Sequence, residues 1–384
     1  MLLAVGESPW CDGPWAWLVA AMAGAGGGWV LANGVRRLMD PLPGDALRSR
    51  SVILAAAAAA AGLWWWEVNL HALLPAALAP SDCIVATLRF AGHLILGGFL
   101  GAATWVDLRH RVIPDSITVP GVLTGLAWNT LFPSTLLPVA REVTRSFAPP
   151  TLEPDLLGSC GGLAANGLPA WLGPAPALGG LALAGSVFAA WWWVGMPPTA
   201  PTDAAGQSSR PAWLRSHWLV AAGGAGGMLA AWLIGGDHWR GLVTALTGLA
   251  VAAGMIWTTR TGASWALGRE AMGFGDVTLM AMVGSWIGWQ ACLLVCVLGV
   301  FIGLVHGVGQ LLRHSESELP FGPSLCLATA IVIVGWRPLW AAAGPQFGRP
   351  LELATVVALV IGLTAVTLWA WQRLRGDSPD AENS

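Results

Sequence analysis

Apolar runs long enough to cross a bilayer recur from one end of this chain to the other, and they make lipid the solvent its helices must satisfy. Of 384 residues, 55% are hydrophobic and 10% charged, against roughly 25% charged in a soluble domain. That balance excludes a single soluble globular enzyme and equally a disordered chain. A net charge of −2 offers nucleic acid no basic surface. All 19 basic residues are Arg, and 25 Trp stand beside no Tyr. Trp alone must therefore supply the interfacial aromatic belts.

Runs of about 18–22 residues give eleven expected spans. They lie near 15–35, 51–66, 84–106, 116–133, 178–196, 217–235, 241–258, 277–289, 291–311, 321–341 and 351–371. The expected fold is an all-α polytopic transmembrane helical bundle of about 8–11 spans, the second and eighth being short enough to be broken or re-entrant. Alternation from an outside N-terminus puts 13 Arg on one side, 5 on the other, and Arg89 within a span. The first side is then cytoplasmic by the positive-inside rule. Met1 to Gly13 carries acids and no Arg, so a cleavable signal peptide is not expected. Residues 134–177 read as a long external insert, and 197–216 as a flexible cytoplasmic linker.

The six cysteines (Cys11, Cys83, Cys160, Cys292, Cys296, Cys326) form no C-x-x-C pair. Neither a zinc site nor a disulfide framework is expected, and no metal or cofactor. With so few charges, each acid beside an apolar run is a candidate for function. Four of the 21 qualify: Glu67, Asp107, Asp276 and Glu352. Asp107 ends the third span and Asp276 begins the eighth. Both fall at the cytoplasmic membrane edge although 169 residues separate them.

A carboxylate pair meeting there suits aspartic proteolysis. Two carboxylates roughly 3 Å apart cannot both ionise readily, so they share one proton. The ionised member takes a proton from a water between them, which attacks the scissile carbonyl. The protonated member hydrogen-bonds the carbonyl oxygen and stabilises the developing oxyanion. In Gly273-Phe274-Gly275-Asp276 the glycines permit close backbone approach, and Asp276 opens an apolar helix whose dipole favours a carboxylate. Around the other acid, in Asp107-x5-Ile113-Pro114-Asp115, Pro114 breaks the helix and Asp115 or Ser116 is expected to cap the next, Asp115 reading better as a cap than as a catalytic acid. By composition G-x-G-D is expected by chance about 0.2 times in such a chain, and D-x5-I-P-D roughly 0.001 times.

These residues resemble the type IV prepilin peptidases, bacterial members of the GxGD aspartic membrane proteases. The matching segments are VDLRHRVIPDSITVPG (106–121), REAMGFGDVTLMAMVGSWIGW (269–289) and LPFGPSLCLA (319–328). The resemblance implies an endopeptidase that removes the short basic leader of prepilin or pseudopilin proteins at the cytoplasmic face of the bacterial inner membrane. It implies Asp107 and Asp276 as catalytic acids and Gly273 and Gly275 as motif glycines. Many members carry Lys where this chain has Thr278. The classical bifunctional enzyme has paired C-x-x-C motifs in an N-terminal half that methylates the new pilin terminus. Here residues 1–83 read as extra spans without such pairs, so methyl transfer is not expected. Residues 84–341 form the protease core and 342–384 a last span and cytoplasmic tail.

Other polar residues have plainer readings. Arg89 and His93 sit about 21 Å from Asp107 along a helix, taking His93 as the nearer, and suit packing or snorkelling to the outer surface. Glu67 and His71 suit a surface pair at the external edge. His306 suits core packing. Glu270, just before G-x-G-D, is a solvated loop acid or a substrate contact. Two alternatives stand beside the leading one. A protease similar to presenilin or signal peptide peptidase shares G-x-G-D, yet those carry Pro-Ala-Leu where this chain has Pro320-Phe321-Gly322-Pro323. A non-catalytic membrane component of a pilus or secretion apparatus would not need paired acids at one face.

Overall fold

The computed structural model describes residues 15–38, 45–74, 82–141, 151–154, 178–195, 217–267, 272–312 and 321–347, with isolated helical positions beyond. The linker 197–216, most of the insert, Glu270, the expected span 351–371 and the tail lie outside or largely outside them. Ten α-helices carry the described residues. They are α1 (Ala16–Leu38), α2 (Asp45–Trp64), α3 (Cys83–His110), α4 (Asp115–Leu131), α5 (Leu178–Gly195), α6 (His217–Ile234), α7 (Gly236–Leu267), α8 (Phe274–Leu312), α9 (Gly322–Val334) and α10 (Trp336–Phe347). A π-turn, Trp65–Asn69, extends α2, and a 3-10 turn, Pro133–Thr135, follows α4.

By length and composition five helices can cross a membrane: Arg50–Asn69, Cys83–His110, Leu178–Gly195, Gly236–Trp265 and Phe274–Gly309. The pair Gly322–Val334 and Trp336–Gly344 makes a sixth if taken together. The protein is an all-α, multi-pass membrane protein, with one short hairpin besides. In that hairpin β1 (Pro138–Arg141) pairs antiparallel with β2 (Thr151–Pro154), Val139 opposite Glu153.

The eighth and ninth expected spans are continuous in α8 but break at Gly288, whose φ of 78° and ψ of 173° no other residue adopts without strain. The break is a reversal. Gly303 sits against the Phe321 ring, next to Gly322, which abuts Asp107, and Asp107 acts electrostatically on Asp276. In a straight helix 27 residues would separate Gly303 from Asp276 by about 40 Å at 1.5 Å per residue. A straight helix cannot meet these contacts, so α8 bends back at Gly288. The carbonyls freed near the break find a donor: Asn129 Nδ2 of α4 donates to the Ser285 and Trp286 oxygens at 2.7 and 3.0 Å. In lipid such carbonyls would otherwise go unsatisfied. The first half of α8 packs on α7 with Gly248 and Gly284 in direct backbone contact, where a Cβ on either would strike the other's carbonyl.

The expected span 321–341 is corrected. It is the 13-residue α9 followed by α10 at 87°. Pro338 has no N–H to bond the Val334 carbonyl, and that oxygen accepts instead from Trp66 Nε1 at 2.8 Å. The start of the insert is no free loop either. Leu136, Leu137 and Val139 are buried, and the buried Trp336 indole donates to the Pro138 oxygen at 2.7 Å. Its apolar sequence, Leu-Leu-Pro-Val, follows the core rather than water.

Two further expectations change at this end. Glu67 is 4% exposed and pairs not with His71 but with His93 Nδ1 of α3. Of the two readings of Arg89, packing holds and snorkelling does not: it is 5% exposed and donates to the Thr135 and Ser134 oxygens of the 3-10 turn at 3.1 and 3.3 Å. The π-turn supplies the reason, since its extra residue per turn swings Glu67 inward. Cys83 is disulfide-bonded, which the scattered cysteine pattern hides, while Cys292, Cys296 and Cys326 are buried and free.

The Glu67–His93 contact ties the N-terminal helices to α3. Replacing His93 by Leu strands a buried carboxylate and should cost at least about 1–3 kcal/mol, whereas Glu67→Leu with His93→Leu should recover most of it. Thermal unfolding in detergent tests this, and an equal loss in single and double variants would contradict the contact.

Candidate active site

The last turn of α3 carries Asp107. The helix ends where Arg111 takes the left-handed conformation (φ 55°) and its N–H donates to the Asp107 carbonyl at 2.8 Å. This is the αL closure that glycine usually provides, and it turns the chain so that Ile113 is buried and Pro114 starts α4. Asp115 is not the cap expected of it. Pro114 holds the N-cap position with extended backbone (φ −79°, ψ 144°), and Asp115 is the acid of the first turn, where it meets the helix dipole.

Asp276 lies in the first turn of α8, its N–H directed to the Gly273 carbonyl at 3.4 Å. Both carboxylates are buried, Asp107 at 5% and Asp276 at 7% exposure, and each lies within reach of the other's charge. A third element closes on them. The Asp107 carboxylate accepts from the Gly322 backbone N–H at the start of α9, an amide that the helix itself leaves without an acceptor. Cys326, one turn further along α9, hydrogen-bonds Thr104 and feels both aspartates.

Ile113 is the spacer between the motifs. A Cβ on Gly275 would lie 3.0 Å from Ile113 Cβ and 3.3 Å from its nitrogen, and one on Gly322 would lie 2.9 Å from Ile113 Cδ1 and 2.5 Å from Asp107 Oδ2. The D-x5-I-P, G-x-G-D and P-F-G-P segments thus meet on one side chain, and the two glycines leave room for it. Gly273 has no such neighbour and is exposed. Thr278 turns back to donate to the Gly275 carbonyl at 3.0 Å. Among the described residues no group of three His, Cys, Asp or Glu could hold a metal ion. Two buried acids in electrostatic contact, each near a helix N-terminus, can hold and polarise a water between them and donate a hydrogen bond to a carbonyl.

Residues 215–308 match the type IV leader peptidase family, about a quarter of the chain. The match includes Asp276 and its glycines but not Asp107. The chain is 40% identical over 70 residues to an Aeromonas salmonicida prepilin leader peptidase/N-methyltransferase, covering 17% of this chain and 24% of that protein. It is 34% identical over 134 residues to one from Pseudomonas aeruginosa, covering 28% and 46%, and 33% identical over 150 residues to one from Stutzerimonas stutzeri, covering 32% and 51%. The chain thus spans a quarter to about half the length of these curated relatives. No solved structure gives a significant match.

The packing on Ile113 predicts an asymmetry. Gly275→Ala and Gly322→Ala should each destabilise by about 1–3 kcal/mol, the usual cost of overpacking. Ile113→Val removes only Cδ1, so it should relieve part of the Gly322→Ala loss and none of the Gly275→Ala loss. Unfolding midpoints of the single and double variants in detergent give the answer, and equal relief in both would refute the spacer role.

Proposed function

We propose that this chain, whose residues 215–308 belong to the type IV leader peptidase family, is an aspartic endopeptidase of the bacterial inner membrane. It removes the short basic leader of type IV prepilin-like proteins at the cytoplasmic face. Residues 84–341 carry the core, the helices before them are additional spans, and 342–384 a last span and tail. The observation that supports this best is the burial of Asp107 and Asp276 within reach of each other's charge, with Gly322 of the third motif on Asp107.

The mechanism follows from the pair. One carboxylate is ionised and accepts a proton from a water held between the two, so the hydroxide that forms attacks the scissile carbonyl carbon. The other is protonated and donates to the carbonyl oxygen, which takes up the negative charge of the tetrahedral intermediate. Collapse breaks the C–N bond, and the nitrogen of the mature pilin leaves with a proton returned by the first acid. The Gly322 N–H fixes the Asp107 carboxylate, so the orientation of one acid is set before substrate arrives. Substrate enters with its apolar helix in the bilayer and its cleavage site unwound between the acids. Pro114, Asp115, Gly273, Gly275 and Glu270 support the site around the two acids. Methyl transfer is not carried over from the relatives, because the paired C-x-x-C motifs associated with it are missing from the six cysteines.

Asp107→Asn and Asp276→Asn should each lower leader removal by at least about 10²–10⁴-fold, the contribution of a positioned acid or base. Cleavage of a co-expressed tagged prepilin in membranes, followed by loss of the leader, measures it. Full processing by either variant, at normal membrane levels, would sink the dyad. The wild-type rate should be bell-shaped in pH: below the acid limb both carboxyls are protonated and no base remains, and above the basic limb both are ionised and repel.

A further inference from the structure

The segment that carries Asp276 is held from two sides. Ile113 packs against Gly275 from the α3–α4 side. A second neighbour is Arg260, in the last two turns of α7. Its Nε–H donates to the Met272 carbonyl at 2.9 Å, and its guanidinium carbon lies 5.9 Å from the centre of the Phe274 ring. That distance is within the range at which an aromatic face attracts a guanidinium. Arg260, Met272 and Phe274 are all half-buried, where such contacts are worth more than in open water.

The placement matters because Phe274 sits between two glycines. Gly273 and Gly275 lack the Cβ that restricts backbone angles, so G-x-G-D does not fix its own geometry. The Met272 carbonyl before the first glycine and the Phe274 ring between them are the two handles by which it can be gripped. One guanidinium reaches both, donating through Nε to the carbonyl and bringing its charge over the ring. An ammonium cannot do the two together.

We propose that Arg260 is a positioning residue, holding the Met272–Phe274 segment so that Asp276 stays in register with Asp107. The proposal rests on the peptidase reading above. Arg260 touches no reacting atom; it acts through the backbone of the acid's own segment.

The experiment compares Arg260→Met, Arg260→Lys and Asp276→Asn with wild type in detergent, on the purified tagged prepilin that the wild-type enzyme processes. Arg260→Met keeps an unbranched stem and should lower kcat about 10- to 100-fold with KM within threefold of wild type. Arg260→Lys should recover part of that loss. The pH range of activity should also narrow in Arg260→Met, because two acids held less closely separate their titrations less. Unchanged kcat and pH range in Arg260→Met, a loss confined to KM, or no difference between Met and Lys would each overturn the positioning role. Asp276→Asn separates the two levels: if it still cleaves, the peptidase dyad falls along with Arg260, and if it is dead while Arg260→Met is fully active, Arg260 alone falls.

Discussion

Bringing Asp107 and Asp276 within reach of each other's charge, away from water, opposes folding on two counts. Desolvation penalises each carboxylate, and mutual repulsion penalises the pair. Much of the architecture around them can be understood as compensation. The Gly322 amide satisfies one carboxylate, and Asp276 sits in the first turn of α8, where unpaired amides favour negative charge. Neither arrangement would hold if the three segments were free to drift. They are locked on Ile113, a purely apolar spacer whose neighbours on two sides lack side chains.

The reversal at Gly288 serves the same end. By bending the second half of α8 back, it gives α9 a wall in which Gly303 receives the Phe321 ring and Gly299 receives Leu325. Asn129 takes up the carbonyls the reversal exposes, so a break that lipid would not tolerate becomes part of the core. The acids on one level and the break on another are thus two ends of one construction.

Much of this was legible in the sequence and some was not. Hydropathy placed nearly every described helix, because apolar runs and lipid leave few options. Asp107 and Asp276 stood out since each interrupts or bounds such a run inside a motif. The bend after Val334 was missed: Pro338 sits four residues downstream, and only the structure shows Trp66 receiving the carbonyl it frees. Glu67 was misread because i,i+4 spacing assumes an α-helix, and the chain there is a π-turn. Arg260 carries no sequence signature beyond being one Arg among many at its side of the membrane. Its meaning depends on a partner twelve residues further along the chain.

Two of the helical stretches beside the acids are short for a bilayer, unlike the 28-residue α3 that carries Asp107. Thirteen residues of α9 rise about 20 Å, and the stretch of α8 from Phe274 to Gly288 is little longer. A hydrocarbon core is roughly 30 Å thick. Where a stretch this short spans the bilayer by itself, the lipid beside it thins. On the peptidase reading, water drawn in beside such a stretch would be the water that the proposed hydrolysis consumes.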